Sequence, residues 1–182
     1  MELRDEKNRY FHITNKKNLD SILDNGLIAQ IGERSAKENE EVSRVYLFPK
    51  SAEMDIALAN WFGKNFKSKE DIIILQLDLP PKFPVCRDGS TFMQTSVNSE
   101  VQSFSTYIIT SFGAFCYNDI PAKYISEIYT LDNIEYKKLI SPKLENIKKE
   151  YREMQQMENK RKNSKSIISS SLNKCKKNER VS

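Results

Sequence analysis

The chain has 182 residues, of which 38% are hydrophobic and 30% charged, with a formal net charge of +4. That is enough for one substantial core plus a tail. No apolar run approaches the roughly 18 residues of a membrane span, and the opening MELRDEKNRY is too charged to read as a signal peptide, so a cytoplasmic protein without membrane contact is expected.

Cysteine and histidine usage narrows the chemistry. Cys86, Cys116 and Cys175 form no C-x-x-C pair, and His12 is the single histidine. The cysteine pattern argues against a disulfide framework and a zinc site, the solitary histidine excludes His-rich metal sites and any mechanism needing two imidazoles, and no metal site is expected. Charge is unevenly spread: residues 143–182 hold 12 Lys/Arg against 5 Asp/Glu, whereas residues 1–142 hold 17 against 20. An acidic body is followed by a basic end.

In chain order, Tyr10 to Ile13 read as a half-buried strand, with Tyr10 and His12 on one face and Phe11 and Ile13 on the other. Thr14 or Asn15 can cap the next helix, whose Leu19, Ile22 and Leu23 share a face. Gly26 is its expected stop. Gln30 to Ser43 form a polar loop of a length usually reserved for lids and binding loops, with Arg34 and Ser35 as anion contacts. Arg44 to Phe48 read as a strand with Tyr46 and Phe48 on one face. A helix follows from Ser51, with Met54, Leu58, Trp61 and Phe62 as its apolar stripe and Gly63 as its end.

The β-branched run from Ile72 to Leu77 reads as a central strand covered on both faces. Residues 83–112 mix turn and strand signals and stay unassigned. Gly113 to Tyr117 and Ile125 to Leu131 read as strands around a turn at Asn118 to Pro121. Asp132 with Glu135 has the spacing of a capping box and predicts a helix through Leu139 and Ile140. Leu144, Ile147, Tyr151 and Met154 predict one more helix over 143–158. From Asn159 the composition predicts a basic disordered tail, suited to nonspecific contact with nucleic acid. The body, residues 1–142, is thus expected to be α+β.

Three segments carry a resemblance. FHITNKKNLDSILDNGL is similar to the opening strand and helix of the ADP-ribosyltransferase superfold. RVYLFPKSAEMDIALANW resembles its second strand and helix, and GAFCYNDIPAKYISEIY its closing strands, especially those of RNA 2′-phosphotransferases and bacterial relatives. Together they span residues 9–131. The resemblance implies a split β-sandwich with a cleft for NAD, used as a substrate, or for an ADP-ribose-like ligand. His12 would hold a ribose hydroxyl and Tyr46 would stack on nicotinamide, with Thr14, Arg34, Ser35 and Phe48 as further cofactor contacts. A flat cationic ring calls for an aromatic face, and a ribose diol for a fixed donor and acceptor.

The sequence departs from the family at Ala114, where the closing strand of active transferases supplies a glutamate. Three readings stay open. Glu100 or Asp119 supplies the acid from a neighbouring loop; the chemistry is phosphotransfer, relying on Arg9, Arg34, Arg44 or Arg87; or the domain binds without catalysing. The acceptor of any transferred group is not specified by these residues.

Overall fold

A computed structural model of the chain describes residues 3–32, 41–61, 66–87, 92–96, 105–109, 113–132 and 135–178, with the side chains of 60–61, 87, 92–96, 105–109 and 163–178 outside the description. The chain divides into two units, Met1–Ser141 and Pro142–Ser182. The boundary falls beside Pro142, after which the sequence has no glycine and a single aromatic, Tyr151.

The first unit is α+β. Strand β1, Arg9–Asn15, runs into a short 3-10 turn at Lys16–Asn18 and helix α1, Leu19–Asn25. The side chain of Asn15 accepts the Lys17 N–H at 3.0 Å and so caps the turn. Gly26 ends α1 at φ 83°, ψ −174°, a conformation essentially closed to residues with a Cβ. A Cβ there would also lie 2.5 Å from the carbonyl oxygen of Ile120. That close approach serves the next residue: Leu27 and Ile120 exchange two backbone hydrogen bonds of 2.8 Å each.

Strand β2 is Val45–Leu47 and helix α2 is Ser51–Trp61. Asp5 accepts the Ser51 N–H at 2.8 Å, which supplies a partner to one of the orphan donors at the start of α2. Met54, Ala57 and Leu58 are the buried face of this helix. Strand β3, Ile72–Asp78, is buried at every position but its last, as its unbroken apolar run predicts. It is an inner strand of a four-stranded antiparallel sheet, in the order β1-β3-β8-β9, with β8 at Ile125–Asp132 and β9 at Glu135–Lys138.

A second sheet has the order β2-β7-β4, where β4 is Cys86–Arg87 and β7 is Ala114–Cys116. Strands β5, Phe92–Ser96, and β6, Ser105–Ile109, pair with each other, so part of the unassigned stretch 83–112 is a β-hairpin. The two larger sheets meet where Phe11 of β1 and Phe48 exchange two 2.8 Å backbone hydrogen bonds. On one side of the first sheet, Phe11, Ile13, Ile72, Ile74 and Tyr129 pack with Phe48 and the α2 residues into a single core cluster.

Two expectations are corrected. Residues 135–138 are not helical: β9 pairs antiparallel with β8, Tyr129 opposite Lys138 and Asp132 opposite Glu135. The capping-box spacing is a local signal. It is outweighed by an otherwise unpaired edge of β8 and by the partial burial of Tyr136 against the core cluster. Nor does the last helix stop near Glu158. Helix α3 runs from Pro142 to Asn178, 37 residues, so its backbone is helical where a disordered tail is predicted. Pro142 suits its first turn, and after it no glycine or proline interrupts the run. Among the described residues no helix is long and apolar enough to cross a membrane.

Candidate functional site

The site is built on the end of β1. Alternation along that strand sends Phe11 and Ile13 into the core and turns His12 the other way. His12 is partly buried, and its Nδ1 lies 2.8 Å from the backbone carbonyl oxygen of Tyr46 on β2. A carbonyl only accepts, so Nδ1 carries the proton and donates it. The neutral ring then presents Nε2 as an acceptor. Burial holds the His12 pKa below its ordinary value, against the smaller opposing effect of the hydrogen bond to Tyr46.

His12 lines a crevice of about 420 Å³ together with Thr14 of β1, Asn18 and Ser21 at the start of α1, the turn through Gly26, Gln30 and Gly32, and Arg44 and Tyr46. Its volume lies within the roughly 300–1,000 Å³ usual for small-molecule sites. The Thr14 hydroxyl accepts a hydrogen bond from Asn18 Nδ2 at 3.2 Å, which ties the strand end to the helix start. Asp119 stiffens the far rim by accepting the Ala29 N–H at 2.7 Å.

The β2 wall is aromatic and cationic. Tyr46 stands opposite Phe115 of β7 in register, the rings edge-to-face at 6.5 Å, and Phe115 meets Tyr117 at 5.1 Å. The Arg44 guanidinium lies 4.6 Å from the Phe115 ring centroid and 5.7 Å from that of Tyr117, distances of cation–π contact. Such stacking orients a positive group in the lining of the crevice.

Of the residues singled out by sequence, the structure brings His12, Thr14 and Tyr46 together on this crevice. Phe48 is elsewhere: at 3% exposure it belongs to the core cluster. Strand β2 ends at Leu47, and the backbone of Phe48 is drawn to Phe11 across the junction of the sheets, so the alternation that relates Tyr46 to Phe48 does not continue to the crevice. Glu100, Arg34 and Ser35 lie outside the described residues. Ala114 is 3% exposed and pairs with Leu47, and no carboxylate is among the described residues lining the crevice. Asp119 is engaged in holding the rim.

Of the four arginines considered as candidate cations, Arg44 joins the site, and Asn18 and Ser21 join it without having been singled out. For Arg44 the signal was present, since it stands two residues before Tyr46 on the same strand face. Asn18 and Ser21 enter only because the helix start folds back beside β1. Compared with known proteins, the chain matches no family model, and no curated protein and no solved structure shows significant similarity to it.

Proposed function

We propose that the chain is an NAD-using ADP-ribosyltransferase of the split β-sandwich type, with the crevice between β1 and β2 as its dinucleotide site. One observation carries this reading: a neutral imidazole fixed by a backbone carbonyl, a tyrosine and a stacked arginine meet in one opening of ligand size. Nε2 of His12 would accept a ribose hydroxyl, the Tyr46 ring would face the nicotinamide, and Arg44 would offset the diphosphate charge. Departure of nicotinamide leaves a cationic anomeric carbon for an acceptor to attack. The acid that steadies that carbon is assigned to Glu100, the carboxylate expected from sequence.

Transfer of a 2′-phosphate is less well supported, because it calls for several arginines around His12. The described lining holds one, Arg44, while Arg9 is paired with Asp78 and Glu6. A noncatalytic NAD or ADP-ribose module is the second reading, favoured by Ala114 and by the lack of a carboxylate among the described lining residues.

Calorimetric titration with NAD and with ADP-ribose, followed by chromatographic assay of nicotinamide release, separates these readings. Binding with release that is lost in His12→Ala and Tyr46→Ala, both still folded, supports the transferase. Binding without release leaves the module, and absence of binding removes both.

A further inference from the structure

Asparagine is among the side chains best suited to cap a helix, because its oxygen accepts an orphan N–H of the first turn. Asn18 stands at the cap position of α1, but its side chain makes no capping hydrogen bond. It turns back to the strand instead, where Nδ2 donates to Oγ1 of Thr14 at 3.2 Å. A favourable local interaction is left unmade, and the one made in its place lies in the wall of the crevice. Departures of this kind from local preference concentrate at functional sites.

The direction of that hydrogen bond fixes what Thr14 offers. A hydroxyl has one proton to give and two lone pairs to receive. With one lone pair occupied by the Asn18 amide, the Thr14 proton points away from it, and among the described residues that proton meets no acceptor. Thr14 is only 8% exposed and lines the crevice, so a bound ligand is the natural acceptor for a donor that is costly to leave unmet. His12 projects from the same strand face two residues earlier, about 7 Å along the chain. Its Nε2 offers the reverse function and only accepts, because Nδ1 holds the ring proton against the Tyr46 carbonyl.

We propose that Asn18 is a positioning residue that holds the Thr14 hydroxyl as a donor beside the His12 acceptor, so that the two together read a vicinal sugar diol. The inference rests on the crevice being the NAD or ADP-ribose site. One hydroxyl of the diol donates to Nε2 and its neighbour accepts from Thr14. Without the Asn18 amide the Thr14 proton swings freely, and the hydroxyl presents a lone pair to the ligand as readily as a proton.

Titration calorimetry of the full chain with NAD tests this as a double-mutant cycle of Asn18→Leu and Thr14→Val, with urea unfolding to verify that each variant is folded. Thr14→Val keeps the shape of the side chain and should weaken NAD binding on the order of tenfold. Asn18→Leu should weaken it about threefold or more, with an unfolding midpoint near that of the wild type because no cap is lost. In the Thr14→Val background, Asn18→Leu should add less than about twofold, and Thr14→Ser, which keeps the hydroxyl, should retain most of the affinity. Two NAD analogues, each lacking the diol of one ribose, complete the test: one of them should bind weakly and be indifferent to both substitutions. Additive losses overturn the proposal, as does an Asn18→Leu variant that binds NAD like the wild type, or full sensitivity to both substitutions with both analogues. Each of those results leaves the NAD site itself standing, whereas a wild type that binds no NAD overturns the site and this role together.

Discussion

Nδ1 of His12 donates to the backbone carbonyl of Tyr46 at 2.8 Å, so a main-chain atom of one crevice wall sets the tautomer of the histidine on the other. The imidazole is held neutral because burial disfavours its charged form. With the folded pKa below that of the unfolded chain, the unfolded state takes up the proton first as pH falls. The His12 contribution is therefore fully present above the ordinary histidine pKa and is lost as pH drops below it, by at most about 1.4 kcal/mol per pH unit. Urea unfolding between pH 7.5 and pH 5 should show a shallower loss in His12→Asn, which keeps a donor near Tyr46 but does not titrate. Equal slopes in the two proteins would contradict the neutral, buried imidazole.

Arg44 is placed by stacking on Phe115. Arg44→Ala should weaken binding of NAD or ADP-ribose on the order of tenfold, with a small effect on unfolding, since the contact is worth only about 0.5–1 kcal/mol at a partly exposed site. Arg44→Lys restores the charge without the planar fork and should recover part of the affinity. Titration calorimetry reads both, and an unchanged Kd in Arg44→Ala would remove Arg44 from the ligand site.

Gly26 combines a backbone conformation reserved for glycine with a Cβ position 2.5 Å from the Ile120 carbonyl oxygen. Gly26→Ala should lower the unfolding free energy by about 2 kcal/mol or more. The same substitution strains the exchange of hydrogen bonds between Leu27 and Ile120 and hence the crevice rim. Denaturant titration of the variant measures the loss; a difference under about 0.5 kcal/mol would mean the turn relaxes freely.

The β8–β9 pairing rests more on Tyr136 than on the lysines beside it. The Tyr136 hydroxyl donates to Asp55 on α2, and burial together with Asp55 raises its pKa. Tyr136→Phe should cost about 1 kcal/mol. Lys137→Ala removes an ion pair open to water and should leave the unfolding midpoint unchanged. Reversal of that order would place the weight of the hairpin on its charges.

Much of the fold could be read where one local cause dominates. Alternation placed Phe11 and Ile13 inside, glycine marked the end of α1 at Gly26, and an unbroken β-branched run identified β3 as an inner strand. Composition changes near Pro142, the residue at which the second unit begins. Failures arose where partners distant in sequence decide. Asp132 and Glu135 satisfy a helix-start pattern, but the chain completes the edge of β8 instead, because Tyr136 reaches the core only as a strand residue. The hairpin of β5 and β6 was hidden among turn signals. In the site, His12 stood out as the single histidine and Tyr46 through the resemblance of its strand, whereas Asn18 and Ser21 carry no chemical signature and enter through the path of the chain. Phe48 misled because strand alternation stops one residue before it.

The partner of His12 is a peptide oxygen, and every amino acid supplies one. Any side chain can therefore replace the phenol at position 46 without unseating the imidazole across from it. The side chain on that wall can change while the main chain goes on setting the orientation of the histidine.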